Sequence, residues 1–224
     1  MVKLIIFDLD GTLLDTLKDI EVSCNYALAA CGCPSRTTDE YRRFVGRGIM
    51  NLFREALPEG RKDEDTLLQM RRHFVAYYNE HLCDFTRPYP GIPELINSLE
   101  KAGIKLAIAS NKYQEGTERL ISSNFNEKTF YSILGQREGK PIKPDPDIIM
   151  ETIANTEGAT LENTIYCGDS DVDMQTGANA GVRTIGVTWG FRSREELERY
   201  NPWLLADSPE QICSAIMQIM KPVG

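Results

Sequence analysis

Val2-Lys3-Leu4-Ile5-Ile6-Phe7 is a short, nearly continuous apolar run stopped by Asp8, the pattern of a strand buried on both faces of a parallel sheet. Comparable runs return only much later, at Ile104 to Ala109, Tyr131 to Leu134, Thr164 to Cys167 and Arg183 to Val187, with helical patterns between them. Such alternation predicts an α/β fold built on a parallel sheet. Ile92, Leu95, Ile96 and Leu99 mark one amphipathic helix, closed by Gly103 as its predicted C-cap. Ile212, Ala215, Ile216 and Ile219 mark another, and both should pack on the sheet.

Between the first strand and the second lie about ninety residues with helical periodicity and no strand signal. Apolar positions recur with helical spacing, mostly in steps of three or four, through Leu17, Ile20, Cys24, Leu28 and Cys31, then Tyr41, Phe44, Val45, Leu52 and Ala56, then Leu67, Met70, Phe74, Tyr78 and Leu82. The expected architecture is a Rossmann-like core of residues 1–14 and 87–224 carrying an inserted all-α helical cap of residues 15–86. Thr86-Arg87-Pro88-Tyr89-Pro90-Gly91 reads as a stiff connector out of the insertion, and Asp15-Thr16 as the other half of a hinge. Asp15 is expected to cap the first inserted helix.

Charge and composition narrow the partners. Lys and Arg number 25 against 33 Asp and Glu, a net of −8, so broad nucleic-acid binding is disfavoured because it needs basic surface to displace counterions. No apolar run approaches the ~18 residues of a membrane span, and Asp8 interrupts the chain before a signal-peptide core could form. A cytoplasmic protein without a membrane partner is expected. The six cysteines include only one close pair, Cys31-Gly32-Cys33, which lacks zinc-site spacing, so free thiols are expected. His73 and His81 read as ordinary helix residues.

The chemistry concentrates in Phe7-Asp8-Leu9-Asp10-Gly11-Thr12-Leu13-Leu14-Asp15, where two carboxylates stand two residues apart at the end of a buried strand. Ligands of open α/β sheets bind at such ends. Neighbouring carboxylates repel, so the pair calls for a cation or for one protonated partner, and a hard cation shared with a substrate phosphate fits. Read alone, Asp-Xaa-Asp-Gly could equally be a turn. It resembles, however, the first motif of the haloacid dehalogenase superfamily, and the remaining motifs follow in order: Ala109-Ser110-Asn111-Lys112 after the second strand, Lys143-Pro144-Asp145-Pro146, and Gly168-Asp169-Ser170-Asp171-Val172-Asp173 after the fourth.

What that resemblance implies is a phosphoryl-transfer site. Asp8 would be the nucleophile that forms an aspartyl-phosphate, and Asp10 the acid for the leaving oxygen and then the base for water. Mg²⁺ would be held by Asp8, the Asp10 backbone carbonyl and Asp169, with Asp173 in support. Lys143 would add positive charge, while Ser110, Asn111 and the following amides would bind the phosphate. Lys112 and Lys140 are expected to be surface lysines, and Asp171 solvent-facing or a weak neighbour of the metal.

In the insertion, Arg47 stands between Gly46 and Gly48, where its guanidinium could reach the core cleft and bind an anionic group. Arg42, Arg43 and Arg54 are expected on a solvated face. Val45-Gly46-Arg47-Gly48 with the Gly-Asp-Ser form of the last motif resembles the phosphoglycolate phosphatase group, which implies a small anionic phosphorylated substrate. Pyrophosphatase or nucleotidase activity is the first alternative. A β-phosphoglucomutase-like phosphotransferase follows, although that group usually carries Val at the place of Thr12 and Glu-Asp at Gly168-Asp169. A binding module without turnover would have no need of both Asp8 and Asp10. Dehalogenases lack an acid at the Asp10 place, and phosphonatases use a cap lysine that this chain does not offer beside Gly46. The protein is expected to be a monomer or a homodimer, with Leu197, Tyr200, Trp203 and Leu204 covering the last strand.

Overall fold

The computed structural model describes residues 1–220. β1 (Leu4–Phe7) runs into a tight turn and the two-residue β2 (Leu14–Asp15). Four helices follow: α1 (Leu17–Ala30), α2 (Thr38–Phe44), α3 (Ile49–Ala56) and α4 (Glu64–His81). β3 (Arg87–Pro88) returns antiparallel to β2 and leads into α5 (Ile92–Lys101). Strands and helices then alternate as β4 (Lys105–Tyr113), α6 (Gln114–Asn124), β5 (Phe130–Gln136), α7 (Asp147–Ala154), β6 (Thr164–Gly168), α8 (Asp171–Ala180), β7 (Arg183–Val187), α9 (Arg194–Glu198), β8 (Leu204–Ala206) and α10 (Pro209–Met220).

The sheet is six-stranded and parallel, ordered β5-β4-β1-β6-β7-β8. β1 lies at its centre because both of its faces are apolar: Leu4 and Ile6 pack on one side with Ile148, Ile149 and Tyr166, while Ile5 and Phe7 join the larger core on the other. The chain goes from β1 to one side of it for β4 and β5, then to the other side for β6, so the order reverses beside the carboxyl end of β1. That end is where an open α/β sheet makes its crevice.

Helices α1 to α4 extend the larger core through Tyr41, Phe53, Met70, Phe74 and Tyr78. Their connectors to the sheet lie side by side as the β2–β3 pair, and the buried Asp19 of α1 ties them by accepting the Thr86 amide (2.7 Å), the Thr86 hydroxyl (2.6 Å) and the Phe85 amide (3.1 Å). These are the connectors that the sequence suggests as a hinge.

Three sequence expectations need correction. The second inserted helix is two, α2 and α3, because Gly46 and Gly48 both take positive φ (117° and 79°) and break the run. Asp15 does not cap α1: it is exposed in β2, and the N-cap is Thr16, which makes no side-chain cap. Leu204 does not merely cover the last strand but belongs to β8, which pairs with β7, whereas Leu197 is fully buried and Tyr200 and Trp203 remain partly exposed. All six cysteines are free, and among the described residues no helix is long and apolar enough to cross a membrane.

Candidate active site

Asp8 emerges at the carboxyl end of β1, where its amide donates to Cys167 O of β6 at 2.8 Å, so the two strand ends are in register. Asp169 follows β6. Ser170 caps α8 by accepting the Asp173 amide, and Asp173 answers by accepting from the Ser170 amide and hydroxyl. The capping box therefore fixes the last acid of the site. Carboxylate oxygens of Asp8, Asp169 and Asp173 lie within 4.8 Å of one another, all buried. The Asp10 carboxylate stands outside this cluster.

One buried cation faces the three acids. Lys143 Nζ donates to Asp8 Oδ1 (2.8 Å), Asp173 Oδ1 (2.7 Å) and the Ala109 carbonyl (3.1 Å), and to the Tyr166 hydroxyl (2.8 Å), which itself donates to Asp173 Oδ1 (2.6 Å). Burial, reinforced by Asp173 and only partly offset by Lys143, raises the Asp8 carboxyl from 3.8 to about 7. Burial and the neighbouring Asp173 and Asp8 likewise push Asp169 up. Burial acts on Asp173 in the same sense, but the Lys143 ammonium and bonds from Ser170 and Tyr166 hold it below its ordinary value. Lys143 is desolvated, yet the two acids raise its pKa and keep it charged.

This donor set fits a divalent cation. Three buried acids against one buried lysine leave negative charge uncompensated, and all the donors are hard oxygens. Asp173 is saturated by its partners, whereas Asp8 Oδ2 has no protein donor among the described residues. Asp169 is aimed by the Thr12 hydroxyl (3.2 Å) and the Phe191 amide (2.7 Å). The loop of Asp10 passes close enough only because residue 11 is glycine: its φ is +86°, and a Cβ there would stand 2.4 Å from Asp169 Oδ2.

A cleft enclosing about 640 Å³ of space, open mouth included, leads to these groups. Its inner wall carries Asp8, Asp10, Ser110, Lys143 and Asp169, and its outer wall Ile20, Val45, Ile49, Leu52 and Phe74 of the inserted helices. Lys112 also lines it, which corrects the expectation of a surface lysine. Its side chain is 6% exposed, its Nζ bonds both Asp10 oxygens at 3.1 and 3.2 Å, and the Tyr78 ring covers it at 4.8 Å. Lys140 is exposed as expected, paired with Asp147 and Glu151.

The structure places Arg47 away from the cleft and Asn111 on its wall with its side chain engaged. Arg47 does not line the cleft. Its guanidinium turns outward to Asp171 at 2.5 Å and is 54% exposed, so Asp171 is an ion-pair partner of Arg47 and Arg192. The Asn111 amide group is occupied by protein: Nδ2 donates to the carbonyls of Gly46 (3.0 Å) and Lys143 (3.1 Å), and Oδ1 accepts the Lys143 amide (2.9 Å). It therefore positions Lys143 and pins the Gly46 loop, and both of its side-chain N–H donors are taken. Arg42, Arg43 and Arg54 are exposed. Sequence reasoning also missed Arg192, whose guanidinium donates to the carbonyls of Arg42 (2.6 Å), Arg43 (3.1 Å) and Val45 (2.9 Å) at the end of α2.

The model of the haloacid dehalogenase-like hydrolases matches residues 5–187, a span that holds all three clustered acids together with Asp10, Ser110 and Lys143. The chain belongs to this family. Among its relatives, the phosphoglycolate phosphatase of Mesorhizobium japonicum is 35% identical over 200 residues, covering 87% of this chain and 86% of that one. That of Agrobacterium fabrum is 35% identical over 190 residues, covering 84% and 81%. A crystal structure from Lactobacillus delbrueckii subsp. bulgaricus superposes with a TM-score of 0.87 at 30% identity over 96% of this chain and 98% of that one. The structure of CbbY from Rhodobacter sphaeroides in complex with phosphate has a TM-score of 0.76 at 25% identity, covering 95% and 96%. This haloacid dehalogenase-like protein is thus a hydrolase resembling phosphoglycolate phosphatases, with an α/β fold that its structural neighbours share.

Proposed function

We propose that the protein is a Mg²⁺-dependent phosphatase whose substrate is phosphoglycolate and whose nucleophile is Asp8. The observation that carries the reading is the isolation of Asp8 Oδ2: one carboxylate oxygen is held by Lys143, and the other has no protein donor among the described residues, on a side chain that lines the cleft. The protein is a phosphoric monoester hydrolase in which Asp8, the Asp10 backbone carbonyl and Asp169 would hold the cation, with Asp173, already bonded to Lys143, Tyr166 and Ser170, in support. When bound, the cation would offset the repulsion between an anionic nucleophile and a phosphate dianion.

The remaining steps belong to the chain. Asp8 Oδ2 forms the bond to phosphorus as the ester bond breaks, and protonated Asp10 gives its proton to the departing oxygen, releasing the alcohol. Ionised Asp10 then takes a proton from water, whose oxygen attacks phosphorus and expels the Asp8 carboxylate. Lys143 and the Ser110 hydroxyl face the phosphoryl oxygens in both steps. The inserted helices exclude bulk water with their apolar wall.

Phosphate release tests this directly. Wild-type protein with Mg²⁺ should act on phosphoglycolate in preference to pyrophosphate, nucleoside monophosphates, sugar phosphates and an aryl phosphate, chelation should abolish release, and Asp8→Asn should be inactive while folded. Preference for another member of the panel would overturn the substrate, and an active Asp8→Asn would overturn the nucleophile.

A further inference from the structure

We infer that Lys112 selects the substrate by receiving a carboxylate carried on the carbon next to the ester oxygen. The inference rests on the phosphatase reading above and adds the side chain that recognises the leaving group.

The cleft offers a leaving group little else. Opposite the acids the wall is Ile20, Val45, Ile49, Leu52 and Phe74, against which an unpaired anion would be costly to bury. Among the described residues lining it, the cations are Lys112 and Lys143. Lys143 already serves four oxygens with three N–H donors. Arg47 is turned outward.

Lys112 is placed and dressed for the role. Its polar contacts among the described residues are the two oxygens of Asp10, on nearly equal terms at 3.1 and 3.2 Å, so donor capacity remains. Asp10 serves the leaving oxygen, so a carboxylate one carbon further on falls beside the same ammonium. The covering Tyr78 ring keeps that ammonium largely dry, and a dehydrated cation discriminates more strongly between charged and neutral ligands than a solvated one. A neutral leaving group of the same size gains none of this.

The test compares phosphoglycolate with 2-hydroxyethyl phosphate, in which a hydroxymethyl group replaces the carboxylate, on wild-type protein and Lys112→Met. Both activities should fall in the variant because Asp10 loses its neighbour, but kcat/KM for phosphoglycolate should fall roughly tenfold to a hundredfold further, mainly through KM. Lys112→Arg should restore part of the difference. Equal losses on the two esters would reduce Lys112 to a positioning residue for Asp10 and overturn the proposal. If Lys112→Met fails to fold, the wild type decides: at least a tenfold preference for the carboxylate ester supports the proposal, and parity overturns it while leaving the phosphatase reading intact. Release from neither ester, by folded wild type with Mg²⁺, would sink that reading and this inference together.

Discussion

Tyr166 joins the two charged side chains whose separation matters most to the site. It is fully buried on β6, accepts from Lys143 and donates to Asp173, so one hydroxyl holds ammonium and carboxylate in a fixed triangle. Tyr166→Phe should destabilise the protein by about 1–3 kcal/mol, since both partners are buried and each loses a bond. Urea unfolding measures this, and a variant as stable as wild type would show that water or a shift of Lys143 makes good the loss. The sequence carried no sign of it, because a tyrosine in a buried strand reads as one more apolar residue. Asp8 and Asp10 were legible as two carboxylates at the end of a buried strand, whereas Asp169, Asp173 and Lys143 were legible through the resemblance of their motifs, in order, to those of the family. Lys112 was not legible, because its burial is supplied by Tyr78 from a helix far earlier in the chain. Arg47 misled for the matching reason: its flanking glycines do open a loop, but the partner that captures its guanidinium, Asp171, stands on the outer side.

The elements meet most tightly where α2 ends. Its last carbonyls lack helical partners, and Arg192 satisfies those of Arg42 and Arg43 together with that of Val45, while Asn111 takes Gly46 O and Asp171 takes Arg47. Each of these three core residues is next to a site residue: Asn111 follows Ser110, Asp171 follows Ser170, and Arg192 follows the Phe191 whose amide aims Asp169. The loop over the cleft is therefore fastened by the same strand ends that carry the chemistry. Arg192→Met should cost about 1–3 kcal/mol and expose the Gly46–Gly48 loop to proteolysis. Cleavage in that loop at the wild-type rate would show that Arg192 does not fasten it. Periodicity revealed the long helices and the strands of β1, β6 and β7, where burial repeats over several residues. It failed for β8, three residues long, and for the α2–α3 break, where two glycines interrupt an apolar run that otherwise keeps helical spacing.

At the scale of the whole molecule, stability and cation are linked through pH. The Asp8 carboxyl rises from 3.8 to about 7 on folding, so the folded state holds that proton more tightly than the unfolded state. Its stabilising contribution is present below about pH 4 and is lost as pH rises through about 7. Asp169 is shifted in the same direction. A divalent cation needs the ionised carboxylates, so its effect should grow over the same window. At one fixed MgCl₂ concentration the gain in Tm should be larger near pH 8 than near pH 5. An equal or larger gain at the acidic value would place the cation elsewhere. The sheet order has another consequence, for how the chain is made. β1 sits between β4 and β6, and Leu4 waits for Lys105 on one side and Thr164 on the other. The four inserted helices lie next to one another in sequence and can pack as soon as they leave the ribosome, whereas the segment that bears the nucleophile keeps both edges open until β4 is made and one edge open until β6 follows. Nascent chains stalled before β6 should therefore be the sticky ones, because the strand made first waits for a neighbour made long after it.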